Sequence, residues 1–206
     1  MNPKPYYAGY LEEELGHQIY YEEYGTSTGP AIVVVHGGPG NKSKPKQAWL
    51  YDLDKYHVIL FDQRGCGKSL PQGEIKNNDT SSLVSDMERL RVKVGVDRWF
   101  VAGGSWGSTL ALTYAETHPD KVLGLLLSSI FLGRKKDVAW SFTQSGGIDK
   151  IFTDLWERRT QFLEENGATP SDAAKGLLNK IETGSPEAVQ KIVAGVMNWE
   201  GNLMSS

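Results

Sequence analysis

The run Trp99-Phe100-Val101-Ala102-Gly103-Gly104-Ser105-Trp106-Gly107-Ser108 decides how this chain is read. Its first four residues are aromatic, β-branched and small, as expected of a strand. The run then turns on small residues into an apolar stretch with helical character that extends to about His118. Gly103-Gly104-Ser105-Trp106-Gly107 is therefore a G-x-S-x-G set between a strand and a helix, the context in which that motif carries chemistry. A sharp strand-to-helix turn forces its serine into a strained conformation, and small flanking residues relieve the crowding. The hydroxyl then projects above the sheet, near the positive end of the helix.

Outward from this turn, residues 31–35 (AIVVV) and 57–61 (HVILF) are short continuous apolar runs, the pattern of strands buried on both faces. The first leads into His36-Gly37-Gly38-Pro39-Gly40, the second into DQRGCGKS at 62–69. Further strands are predicted over 18–24 and 122–127. A helix is predicted to start at Thr80 to Ser82, with Leu83, Met87, Leu90 and Val94 on one face. Strands alternating with helices predict an α/β fold with a mostly parallel sheet and flanking helices. Past Ile130 no strand-like run remains. Ile151, Leu155 and Phe162 lie near one helical face. Ser171-Asp172 offers a helix start, and Ser185-Pro186-Glu187 a stronger one. Val189, Ile192, Val193 and Val196 form the apolar stripe of a last helix predicted to end at Asn198-Trp199-Glu200-Gly201. The expected organisation is a sheet domain over residues 1–130 and a helical cap, incomplete, over 131–206.

Composition bounds the function. The 206 residues hold 22 Lys+Arg against 25 Asp+Glu, which leaves no basic footprint for nucleic acid. No apolar run approaches the roughly 18 residues of a membrane span, and the N-terminus has no apolar signal region. The one cysteine, Cys66, cannot close an intramolecular disulfide, which suits a reducing compartment and predicts a cytoplasmic protein. With no H-E-x-x-H and no paired cysteines, neither a metal nor another cofactor is expected.

A serine nucleophile attacking a carbonyl needs amide donors aimed at the developing oxyanion. One is expected from the backbone N–H of Trp106, and the other from the glycine-rich loop at 36–40, where Gly38 N–H is the best placed. His36 is expected to be structural. Cys66 is expected to pack rather than react. Asp62 and Arg64 are expected to pair and brace their loop.

Together HGGPG, DQRGCGKS and GGSWGS resemble the proline iminopeptidases, α/β-hydrolase serine aminopeptidases that remove an N-terminal proline from peptides. DRWFVAGGSWGSTLALTYAETHPDKV and IFLGRKK extend the resemblance, which covers most of the chain from about Tyr20 to Gly201. It implies an α/β-hydrolase fold, Ser105 as nucleophile, and Gly38 and Trp106 as the oxyanion hole. It also implies Glu200, in the Trp-Glu of the cap, as the residue that binds the substrate's free amino terminus. Val196 stands where the family pattern has a further tryptophan, Ser128-Ser129 replaces an arginine-glycine, and Asn41 a glycine.

In that fold the chain order is Ser, then Asp or Glu, then His. After Ser105 the only histidine is His118, thirteen residues on (118 − 105) and at the far end of the same helix. That distance is about 20 Å along a helix, out of reach of the Ser105 hydroxyl. The catalytic Asp and His are therefore expected to be absent from this chain. The expectation is a fragment of a proline iminopeptidase, inactive by itself, whose last sheet strand would be an unpaired edge prone to self-association. Two alternatives stand beside it: an inactive remnant or binding module of the same fold, and a general esterase. The Trp-Glu of the cap argues against the esterase, since an ester carries no ammonium group.

Overall fold

Strands β1 (Tyr7–Tyr10), β2 (Tyr20–Gly25), β3 (Ala31–Val35), β4 (His57–Phe61), β5 (Trp99–Gly104) and β6 (Val122–Ser128) form one sheet, ordered β1-β2-β4-β3-β5-β6. β1, β2 and β4 pair antiparallel, and β4, β3, β5 and β6 are parallel. The structure is a computed structural model that describes residues 3–144 and 146–205, without the side chains of residue 200 and residues 202–205. It divides into two compact units, Met1–Gly133 and Arg134–Ser206.

The continuous apolar runs follow from burial on both faces. Val33 and Val35 of β3, Ile59 and Phe61 of β4, and Trp99 and Val101 of β5 face helices α1 (Thr80–Lys93) and α2 (Trp106–Thr117). Ile32, Val34, Val58, Leu60 and Ala102 point to the opposite face. There a 3₁₀ turn over Pro45–Leu50 contributes the buried Ala48. Each Val, Leu, Ile or Phe side chain so removed from water contributes about 1.5–3 kcal/mol. Leu83, Met87 and Leu90 are the buried face of α1, as their spacing predicts. Its cap differs from expectation: Asp79, one residue earlier, accepts from Ser82 N at 2.9 Å. A carboxylate in extended backbone competes well for that orphan amide and also suits the positive helix end.

β1 is not evident in the sequence. Its four residues are mostly exposed, and its pairing with β2 is reinforced by Tyr10 on Tyr20 and Tyr7 on Tyr21, with ring centroids 5.2 and 5.6 Å apart. At the other edge β6 pairs with β5, and its Leu123, Leu125 and Leu126 are 42%, 36% and 49% exposed.

The second unit is helical: α3 (Lys135–Phe142), α4 (Ile148–Ile151), α5 (Thr153–Glu165), α6 (Ala173–Thr183) and α7 (Pro186–Ser205). Two expectations need correction. Ile151 does not share a helix with Leu155 and Phe162, because the backbone breaks at Phe152 and leaves Ile151 exposed. The last helix does not end at Gly201 but runs on to Ser205, since glycine weakens a helix without stopping it. Leu163, Ala168, Leu177 and Ile192 pack together, with Val196 against them. Gly195 permits the approach of α5 and α7: a Cβ there would lie 2.2 Å from the Phe162 ring.

Candidate active site

β3 lies between β4 and β5. The chain leaves β3 toward β4 and returns through α1 to β5 on the other side. The carboxyl ends of β3 and β5 are therefore the topological switch point of the sheet. Open α/β sheets bind ligands at such switch points. The register Val35↔Gly103 sets His36-Gly37-Gly38-Pro39-Gly40 directly beside Gly103-Gly104-Ser105-Trp106-Gly107.

Ser105 occupies the turn with φ 56° and ψ −126°, a conformation that L side chains rarely adopt. It stands at the N-cap position of α2, yet its side chain makes no capping bond. A capping serine needs extended backbone to aim its Oγ at the first-turn amides. Here Ser105 O takes that role, accepting from Ser108 N at 2.9 Å and from Ser108 Oγ at 2.6 Å. The exposed Ser105 hydroxyl is left free at the positive end of a 12-residue helix.

The glycines of the motif are required by contact. A Cβ on Gly103 would lie 2.2 Å from Gly107 O, and one on Gly107 would lie 2.2 Å from Val35 O. A Cβ on Gly37 would lie 3.3 Å from Ser105 Cβ, so the two loops touch at the serine. Gly38 has φ +125°, and a Cβ there would meet Gly40 N and Asn41 N.

Gln63, unassigned by sequence reasoning although it lies inside DQRGCGKS, joins the two loops. Its backbone N–H donates to His36 Nε2 (3.0 Å) and its side-chain amide to His36 O (2.8 Å). Its carbonyl accepts from the Trp106 indole (3.1 Å). His36 Nδ1–H donates in turn to Gly37 O (2.8 Å), so both ring nitrogens are engaged. Burial holds its pKa below the usual histidine value, and with Nε2 accepting from Gln63 N the ring is bonded in its neutral form.

The expected Asp62–Arg64 pair does not form. Arg64 makes a bidentate, fully buried pair with Asp86 of α1 at 2.6 and 2.8 Å. Asp62 accepts instead from Ser43 N (2.7 Å) and Lys68 N (2.8 Å), tying the lysine-rich loop to the turn after β4. A bidentate carboxylate on an α1 turn satisfies a guanidinium fork that a near neighbour in a tight turn cannot face. Cys66 is buried, its Sγ 3.3 Å from Arg64 O, and burial raises its thiol pKa.

Among the described residues no histidine bonds to Ser105. His17 Nε2 meets Lys76 O, His57 Nε2 meets Glu23 at 2.6 Å, and His118 ends α2 against the Tyr114 ring. No group of His, Cys, Asp or Glu among these residues is placed to hold a metal ion. No helix among them is long and apolar enough to cross a membrane. Glu200 falls within α7, but its side chain lies outside the described residues. Its neighbour Trp199 is buried, its ring 6.0 Å from that of Trp156.

Comparison with known proteins agrees with this fold. A model of the alpha/beta hydrolase fold matches residues 30–182. A probable proline iminopeptidase of Leptolyngbya boryana is 50% identical over 153 residues, 74% of this chain and 47% of that protein. The proline iminopeptidase of Xanthomonas citri is 44% identical over 200 residues, 96% of this chain and 62% of that protein. A proline iminopeptidase-related protein of Thermus thermophilus superposes with a TM-score of 0.56 at 25% identity, covering 91% of this chain and 59% of that one. The chain spans about half the length of the curated relatives it matches.

Proposed function

Because the chain belongs to the α/β-hydrolase fold family, we propose that it carries the nucleophile half of a serine aminopeptidase that releases N-terminal proline from peptides. Ser105 Oγ attacks the carbonyl carbon of the terminal proline. The N–H groups of Gly38 and Trp106 receive the oxyanion, the peptide C–N bond breaks, and water then hydrolyses the prolyl ester. Glu200 receives the substrate's ammonium group. The observation that carries this reading is the Ser105 turn itself: a strained serine, its hydroxyl uncommitted, touching Gly37 at the switch point. The substrate class rests on the proline iminopeptidase relatives.

The proton leaving Ser105 needs a general base. His36 is engaged at both nitrogens, His17 and His57 are bound elsewhere, and His118 lies at the far end of α2 against the Tyr114 ring. In this reading the base and its carboxylate partner are not supplied by these 206 residues, and the chain alone does not turn over. The cytoplasm is its proposed compartment, and the residues 1–130 and 131–206 are its proposed sheet domain and cap.

The test compares proline release from a proline naphthylamide by the full-length protein and by its Ser105→Ala variant. A loss of at least about 10³-fold supports the assignment, the scale of triad residues. Undiminished release overturns it.

A further inference from the structure

We propose that the helical unit, residues 134–206, holds a binding site for a monocarboxylate with an apolar body, with the Arg159 guanidinium as the partner of the carboxylate. The proposal goes beyond the peptidase reading and uses neither Ser105 nor Glu200.

A cavity of about 790 Å³ opens within this unit, lined by Phe142, Leu155, Phe162, Leu177, Trp199 and other apolar groups. That volume lies in the range of small-molecule sites, about 300–1,000 Å³. Arg159 is in its wall and only 8% exposed. Its Nη1 is buried without a hydrogen-bond partner, and none of the ion pairs among the described residues involves it. The described lining includes Arg158 and Arg159 but no acidic side chain. The guanidinium carbon is 4.9 Å from the Trp156 ring centroid and 5.4 Å from that of Trp199. These rings hold the cation in place but satisfy none of its N–H donors.

A buried guanidinium without an acceptor is costly, and burial alone already lowers its pKa. Arginine remains charged, so the relief available is an anion rather than loss of the proton. A carboxylate suits the planar guanidinium, and since Nη1 is closed off as it stands, the fork must turn toward the cavity for two parallel N–H···O bonds to form. The apolar remainder of the cavity then selects a hydrocarbon or aromatic body over a hydrophilic one. A phosphate, with greater charge, would meet a single buried cation and, apart from Asn198 and the exposed Arg158, an apolar wall.

The 206-residue chain is titrated with decanoate, decanol and decylammonium below their micellar concentrations, followed by calorimetry and tryptophan fluorescence. Decanoate is expected to bind one to one, at least about tenfold tighter than decanol, with decylammonium weakest. Arg159→Met should weaken decanoate about 10- to 100-fold and bring it level with decanol, while Arg159→Lys keeps part of the preference. The three-ligand comparison on the unaltered chain stands even if a variant fails to fold. Equal binding of decanoate and decanol, or no binding of decanoate, overturns the site. A preference for decanoate that survives Arg159→Met overturns the assignment of the cation.

Discussion

The Gln63 side-chain carbonyl accepts a hydrogen bond from the Trp106 indole at 3.1 Å, while the same amide donates to His36 O at 2.8 Å. One buried side chain thus fastens the loops after β3, β4 and β5 to one another. It fixes both backbone segments from which the oxyanion donors are proposed to come.

Gln63→Leu keeps the bulk and removes both side-chain bonds, leaving His36 O and the Trp106 N–H without these partners. The expected loss is about 1–3 kcal/mol of stability, read by urea denaturation. A change under about 0.5 kcal/mol would show that the bridge contributes nothing to the loops.

Arg64 and Asp86 give a larger effect. Asp86→Ala leaves a fully buried guanidinium with its bidentate partner gone and should cost about 3–5 kcal/mol in the same measurement. Arg64→Met combined with Asp86→Leu removes both charges and should be less costly than Asp86→Ala alone. A double variant as unstable as the sum of the single variants would show that the two residues act independently.

The strands of the sheet centre were legible because burial on both faces writes an uninterrupted apolar run, as in Ala31–Val35 and His57–Phe61. Ser105 was legible because its turn needs small residues at fixed offsets. β1 was not, since it is short, exposed and supported by cross-strand tyrosines rather than by a pattern along the chain. The partner of Arg64 was not legible either: twenty-two residues separate it from Asp86, and an adjacent Asp62 offered a nearer carboxylate. Gln63 illustrates the same limit, because its partners lie 27 and 43 residues away. Local chemistry can be read from spacing, whereas long-range polar bonds depend on which loops the fold brings together.

His36 sets a pH dependence. Its folded pKa is held down by burial, below the value of about 6.5 that it has when unfolded. Between the two values the unfolded chain binds a proton that the folded chain does not. Stability should therefore rise with pH through this window and fall as pH drops below about 6.5. Ring-nitrogen NMR shifts should show His36 neutral and protonated at Nδ1 at a pH where a free histidine is already half protonated. An imidazolium signal for His36 at that pH would contradict the bonding seen at Gly37 and Gln63.

The outer strand β6 presents Leu123, Leu125 and Leu126 to solvent at the sheet edge. Apolar edges of this kind pair with other chains. Sedimentation of the 206-residue chain should show association that rises with concentration, and Leu126→Lys should reduce it. A strictly monomeric chain at high concentration would show that this edge is not adhesive.

Ser105 is held in a strained turn. Its φ of 56° and ψ of −126° suit glycine, and its hydroxyl makes no bond whose loss would offset relief. Releasing a backbone strain of this kind is worth about 1–3 kcal/mol, against a cost of about 0.5–1 kcal/mol for the freer unfolded chain of a glycine variant. Ser105→Gly should therefore fold more stably than the parent, by about 0.5–2 kcal/mol. Ser105→Ala keeps its Cβ, and so the strain, and should lie close to the parent. Denaturation midpoints at unchanged m-value decide the comparison, and neither variant should form an acyl-enzyme in the full-length protein. A serine held there for packing would give the opposite order, with glycine the least stable of the three. A gain from glycine alone would show that the fold stores energy in this turn to hold the hydroxyl at the switch point.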